Sequence, residues 1–131
     1  MDALLLQNWT TLMLTSTVSV TQGASGWLDV GDYEDITFYL DLREKSGGNI
    51  TFYYETSPIR QDSAFTTMIP GFLATVGTRV DQVLASYANV PPAKLVRWRV
   101  SPDAGGSLTF RIWLAGNAPA KSSAGACRCR G

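Results

Sequence analysis

The sequence predicts an all-β domain: an antiparallel β-sandwich, jelly-roll-like, with seven or eight strands. Three observations carry that expectation. Apolar residues recur at every second position in several short segments, the period of a half-buried strand. Clusters of Gly, Pro, Asn and Ser interrupt the chain every ~8–12 residues, as turns do between antiparallel strands. No segment sustains a helical period over the length of a helix.

The elements follow in order. Residues 1–10 are expected to form an N-terminal arm, with Leu4, Leu5 and Leu6 apolar enough to dock on a neighbour. Leu12 to Val20, rich in Thr, Val and Leu, reads as the first strand, and Gln22-Gly23-Ala24-Ser25-Gly26 ends it. Trp27 to Val30 is a short edge piece. In Ile36-Thr37-Phe38-Tyr39-Leu40-Asp41-Leu42, the residues Ile36, Phe38, Leu40 and Leu42 share one face. Ser46-Gly47-Gly48-Asn49 then turns the chain into Ile50 to Thr56, so the two runs read as a hairpin. Phe65 to Ile69 and Phe72 to Val76 are short extended pieces. Val80 to Ala85 fits a strand or one helical turn, and the Thr, Val and Gly nearby favour the strand. Leu95 to Val100 places Val96, Trp98 and Val100 inward. Ser101-Pro102-Asp103-Ala104-Gly105-Gly106 is a strong turn signal, and Leu108 to Leu114 alternates again, giving a second hairpin. The sandwich is expected over 11–118, with 119–131 a flexible basic tail.

Composition narrows function. Charged residues make up 17% of the 131-residue chain, below the ~25% of an average domain, which leaves a neutral surface suited to lasting protein contacts. Net charge is zero but unevenly placed. Residues 1–60 hold eight acids against three bases, and 61–131 hold three acids against eight bases. Either the fold brings the halves together, or the molecule has an acidic and a basic face that pair head to tail. There is no histidine, which removes the commonest general base and metal ligand. No Gly-x-Ser-x-Gly elbow or phosphate loop is present. An enzyme is therefore not expected, and neither is a cofactor. No stretch reads as a signal peptide or reaches the ~18 apolar residues of a membrane span, so the expectation is a chain made in a cytoplasm that needs no membrane.

Four groups of residues are candidates for function. Asp29, Asp32, Glu34 and Asp35 cluster before a strand, but without the spacing of a calcium loop; turn chemistry is the simpler reading. Cys127 and Cys129 lie in the tail, too close for an unstrained disulfide and too few for zinc without histidines. Arg97, Arg99 and Arg111, with Trp113 beside Arg111, are expected near one another on one exposed sheet face if the last two long strands pair. Such a face suits an acidic protein patch, single-stranded nucleic acid, or plain solvation. The aromatics Trp9, Trp27, Tyr33, Tyr39, Tyr53, Tyr54 and Tyr87 are alternatives for a sugar-stacking platform, although spread aromatics more often fill a core or an interface.

The run Trp27-Leu28-Asp29-Val30-Gly31-Asp32-Tyr33 into Ile36 to Leu40, the Gly turn, and the strand closing at Glu55-Thr56-Ser57-Pro58 resemble small virion proteins of tailed bacteriophages. So does the ending Leu95 to Val100, Gly105-Gly106-Ser107, and Leu108 to Leu114. The likeness spans roughly residues 27–115 and is a pattern of strands and turns. It implies a capsid cement, or decoration, protein: a structural virion component on the capsid surface that binds the major capsid protein, forms a dimer or trimer, and makes no direct nucleic-acid contact. The resemblance supplies no catalytic residue, and the cysteine tail lies outside it. Leu4, Leu5, Leu6, Trp9, Arg97, Arg99, Arg111 and Trp113 are the expected protein interface. The alternative is a carbohydrate- or receptor-binding module of a phage tail.

Overall fold

A computed structural model describes residues 2–15, 17–84 and 90–117. Ten strands occur among them: β1 Asp2–Leu14, β2 Val20–Thr21, β3 Leu28–Asp29, β4 Asp35–Gly47, β5 Ile50–Ser57, β6 Thr66–Thr67, β7 Phe72–Leu73, β8 Gly77–Val83, β9 Leu95–Pro102 and β10 Gly106–Asn117. They form two antiparallel sheets. The first runs β1-β10-β4-β8; the second runs β2-β9-β5-β6, with β3 also on β9 and β7 also on β5. Since β2 and β3 share one partner and β6 and β7 another, the second sheet has four strand positions, and the chain has eight. The order interleaves strands from both ends of the chain in each sheet, as in a jelly roll.

The expected alternation builds the core. Ile36, Phe38, Leu40 and Leu42 on β4 are buried, as are Leu108, Phe110, Ile112 and Leu114 on β10. Ile50, Phe52 and Tyr54 face them from β5, and Val96, Trp98 and Val100 from β9. Phe38 stacks on Tyr54 across the gap, with ring centroids 4.0 Å apart. Phe110 meets Phe52 and Trp98 edge-on, each at 5.1 Å. Such aromatic pairs add about 0.5–1.5 kcal/mol each beyond the area they bury.

Neither expected hairpin forms. β4 and β5 lie in opposite sheets, and so do β9 and β10. Each glycine-bearing loop is an arch that carries the chain across the core, so the apolar faces of consecutive strands meet each other instead of lying side by side. The two arches abut where Gly47 pairs with Gly106. Gly47 has φ +89°, and a Cβ there would sit 2.4 Å from the Gly105 carbonyl oxygen. A Cβ on Gly106 would sit 2.4 Å from that of Ser46. Only glycine fits this close approach.

The N-terminal arm is also corrected. Asp2–Leu14 is an integral strand, paired with β10 from Asp2↔Gly116 to Leu14↔Gly106 and interrupted by bulges between Leu5 and Thr10. The strand expected over Leu12 to Val20 breaks after Leu14, and Val20–Thr21 belongs to the opposite sheet. Val80 does lie in a strand, β8, which pairs with β4. The proposed tail, with Cys127 and Cys129, lies outside the described residues, as does Tyr87.

Candidate interaction surface

The expected arginine face divides between the two sheets. Arg111 lies on β10 in the first sheet, whereas Arg97 and Arg99 lie on β9 in the second. Because β9 and β10 do not pair, their outward faces point to opposite sides of the sandwich.

Arg97 is not exposed. It points outward from the second sheet, but the loop after β5 covers it, leaving 5% of the residue accessible. Its Nε donates to Glu55 Oε1 at 2.9 Å, and its Nη1 donates to Asp62. Arg99 Nε donates to the other Glu55 oxygen at 2.8 Å. Phe65 lies 4.0 Å from the Arg97 guanidinium, with Trp27 edge-on to Phe65 at 4.6 Å. A buried carboxylate that accepts from two guanidinium groups is fully compensated, and the cluster fastens the covering loop to the sheet. Arg99, over the Tyr53 ring at 3.9 Å, borders the cluster. These two arginines are structural, and Trp27, itself buried, leaves the set of sugar-platform candidates.

The apolar arm candidates also separate. Leu6 is buried and Leu4 packs on the core, so neither is available to a neighbour, while Leu5 points outward. Ordinary strand alternation explains the split: residues 4 and 6 share the inner face of β1 and residue 5 the outer one.

What remains on the outer face of the first sheet is a continuous row. Leu5 pairs with Trp113, Trp113 with Tyr39, and Tyr39 with Val80, one residue from each of four strands. Their exposures are 37%, 38%, 40% and 53%. One position along, Arg111 pairs with Asp41 and Asp41 with Thr78. Arg111 also lies over the Trp9 ring at 4.7 Å, and Arg43 lies over it at 4.3 Å. Val80 is in none of the expected sets, and Tyr39 is expected only as a sugar-platform aromatic, not as part of the protein interface. The regular alternation of β4 marks Tyr39 as outward, but nothing in the sequence places it beside Trp113.

Of the acidic candidates, Asp29 shows turn chemistry. Asp29 Oδ1 accepts from the Gly31 amide at 2.9 Å, and Lys94 Nζ lies 3.7 Å from Asp29 Oδ2. An open depression of about 710 Å³ is lined by Asp29, Gly31, Asp32, Tyr33, Pro92, Ala93 and Lys94. No group of three or more acidic, cysteine or histidine side chains among the described residues is arranged to hold a metal ion.

No protein-family model matches the chain, and no curated relative matches it. Among solved structures, a Bacillus endospore appendage, from a family described as disulfide-linked pili, aligns over 90% of this chain and 92% of that one, with 9% identity and a TM-score of 0.46. That neighbour is a structural protein with a β fold.

Proposed function

We propose that this chain is a structural, non-enzymatic protein that works by contact through the outer face of its first sheet. The observation that carries the reading is the exposed row Leu5–Trp113–Tyr39–Val80. Four large apolar side chains aligned across a sheet, bordered by arginines, have the composition of an interface centre. The finer reading is a cement protein on the capsid surface of a tailed phage, bound to the major capsid protein. The resemblance over residues 27–115 supports it, and so, by fold analogy alone, does the jelly roll, which recurs in viral capsid and lectin domains. The site assignment now rests on Leu5, Tyr39, Val80, Trp9, Arg111 and Trp113.

The test is electron microscopy of phage particles whose genome encodes the chain, with the protein labelled. Decorated heads that lose heat resistance when the gene is deleted, and regain it with added wild-type protein but not with Trp113→Ser, are the expected result. Unlabelled heads with unchanged heat resistance refute the capsid reading. The sugar-binding alternative keeps one specific support: Tyr39 and Trp113 are neighbours on an open sheet face, with Trp9 near Arg111. A glycan array with Trp113→Ser as control separates it.

A further inference from the structure

We infer that the outer face of the first sheet binds a second copy of the chain, face to face about a two-fold axis that runs along the strands between β10 and β4. The inference deepens the structural reading and rests on the same face. A two-fold axis in the plane of the interface and parallel to the strands swaps the columns of the sheet and keeps the rows. β10 then lies over the partner's β4, and β1 over the partner's β8.

The register shows what this brings together. Trp113 meets a second copy's Tyr39, and Leu5 meets its Val80, so the apolar row covers itself. In the next row Arg111 lands on Asp41, and Asp41 on Arg111. An axis perpendicular to the strands also stacks the apolar row on itself. It sets Arg111 over Ala115 and Asp41 over Thr37 instead, which desolvates both charges without partners. Charge complementarity therefore selects the first axis.

Two features favour a copy of this chain over a foreign partner. The face is self-complementary in both polarity and charge, which an isologous contact requires and a foreign partner does not. Arg111 is also under-used within its own chain. Its Nη2 lies 3.5 Å from Asp41 Oδ2, at the limit of hydrogen-bond reach, and the two side chains stay 32% and 40% exposed, so both can bridge to a second copy. The size is adequate. Strands of 13, 12, 13 and 7 residues, rising about 3.4 Å per residue and about 4.8 Å apart, give a face of roughly 700 Å², close to the ~800 Å² per partner of a standard interface.

Charge swaps test the pairing. Asp41→Arg puts two cations in the row, and Arg111→Asp puts two anions there, so each variant alone repels its own copy. Mixed one to one, they restore both opposite-charge contacts. Sedimentation equilibrium of the purified full chain is expected to show a wild-type dimer at micromolar concentration. Each variant alone should dissociate about 100-fold more readily, and the mixture should form a heterodimer near wild-type strength. A wild type that stays monomeric, or a mixture of folded variants that stays monomeric, overturns the inference. If either charge variant fails to fold by circular dichroism, Tyr39→Arg decides: a persisting dimer overturns the inference and dissociation supports it. A monomeric wild type that still coats heads and loses them with Trp113→Ser leaves the structural reading standing without the dimer. A dimer that coats no head does the reverse.

Discussion

Tyr54 offers a direct test of how the core is built. Its side chain is fully buried, stacked on Phe38 and 5.6 Å from Phe72, and its hydroxyl has no hydrogen-bond partner among the described residues. A buried hydroxyl without a partner costs about 1–3 kcal/mol relative to its hydrated state. Tyr54→Phe removes that cost and keeps the ring. The loss of the oxygen's few dispersion contacts offsets part of the gain, each contact being worth only ~0.1–0.2 kcal/mol. The variant should therefore be as stable as wild type at neutral pH, or more stable by about 1–2 kcal/mol.

Alkaline pH gives a second, independent readout. Burial, reinforced by the Asp81 carboxylate and opposed by Arg79, pushes the Tyr54 phenol far above its ordinary value of 10.0. The folded state thus keeps the proton where the unfolded chain releases it. A raised folded value means that the contribution is fully present below pH ~10 and declines as pH rises above it, because only the unfolded state then gains by ionising. The slope for one proton is about 1.4 kcal/mol per pH unit, so wild type should lose roughly 2–3 kcal/mol relative to Tyr54→Phe between pH 10 and 12. Urea unfolding followed by tryptophan fluorescence at pH 7, 9, 10, 11 and 12 measures both. A variant destabilised by more than ~1 kcal/mol at pH 7 would show that the hydroxyl is satisfied. A difference that stays constant from pH 9 to 12 would show that the phenol is not confined as described.

Three further outcomes are expected. Glu55→Ala removes the buried acceptor shared by Arg97 and Arg99 and leaves Arg97 only the exposed Asp62 carboxylate; it should cost about 3 kcal/mol, lowering Tm by roughly 10 °C in calorimetry, and a fall of under ~1 kcal/mol would mean that solvent already reaches the cluster. Gly106→Ala drives a Cβ into the Ser46 carbonyl and should destabilise by at least ~2 kcal/mol, whereas Gly23→Ala, with nothing within 4 Å and φ −63°, should be neutral or stabilising in the same denaturation assay. Phe110→Ala empties the space between Phe52 and Trp98 and should cost about 3–5 kcal/mol in urea unfolding.

The strand faces were legible because a period of two depends only on local sequence. All eight inward residues expected on β4 and β10 are buried. Whether consecutive strands pair or cross the core was not legible. A hairpin and an arch share the same alternation and the same glycine-rich loop, and they differ only in which partner each strand's backbone finds. The β4–β5 and β9–β10 connections are therefore both read as hairpins from sequence, and the arginine face built on the second one separates. The interface row suffered from the same blindness. Tyr39 and Trp113 are each outward by alternation, but they become neighbours only through the β4–β10 pairing, between residues 74 positions apart in the chain. Leu4 and Leu6 were misplaced for a different reason: residues 1–10 read as an arm, and their pairing with β10, about a hundred positions away, is what turns two of the three leucines onto the core.

The same crossing topology settles the uneven charge. Read along the chain, the acidic first half and basic second half allow a molecule with two opposed faces. A jelly roll places β10 beside β4 and β9 beside β5, so strands from the two halves become neighbours in both sheets. Four of the six ion pairs among the described residues follow that weave, while Arg79–Asp81 and Arg97–Asp62 lie within the second half. Asp41 on β4 meets Arg111 on β10, Glu55 on β5 meets Arg97 and Arg99 on β9, and Asp29 on β3 meets Lys94 just before β9. In each of these four pairs the acid comes from the first half and the base from the second. The charge separation in the sequence is thus partly neutralised within each molecule, which weakens head-to-tail attraction between acidic and basic poles. Any association of copies then has to draw on what the weave leaves exposed, and that is the apolar row on the first sheet with its loosely held Arg111.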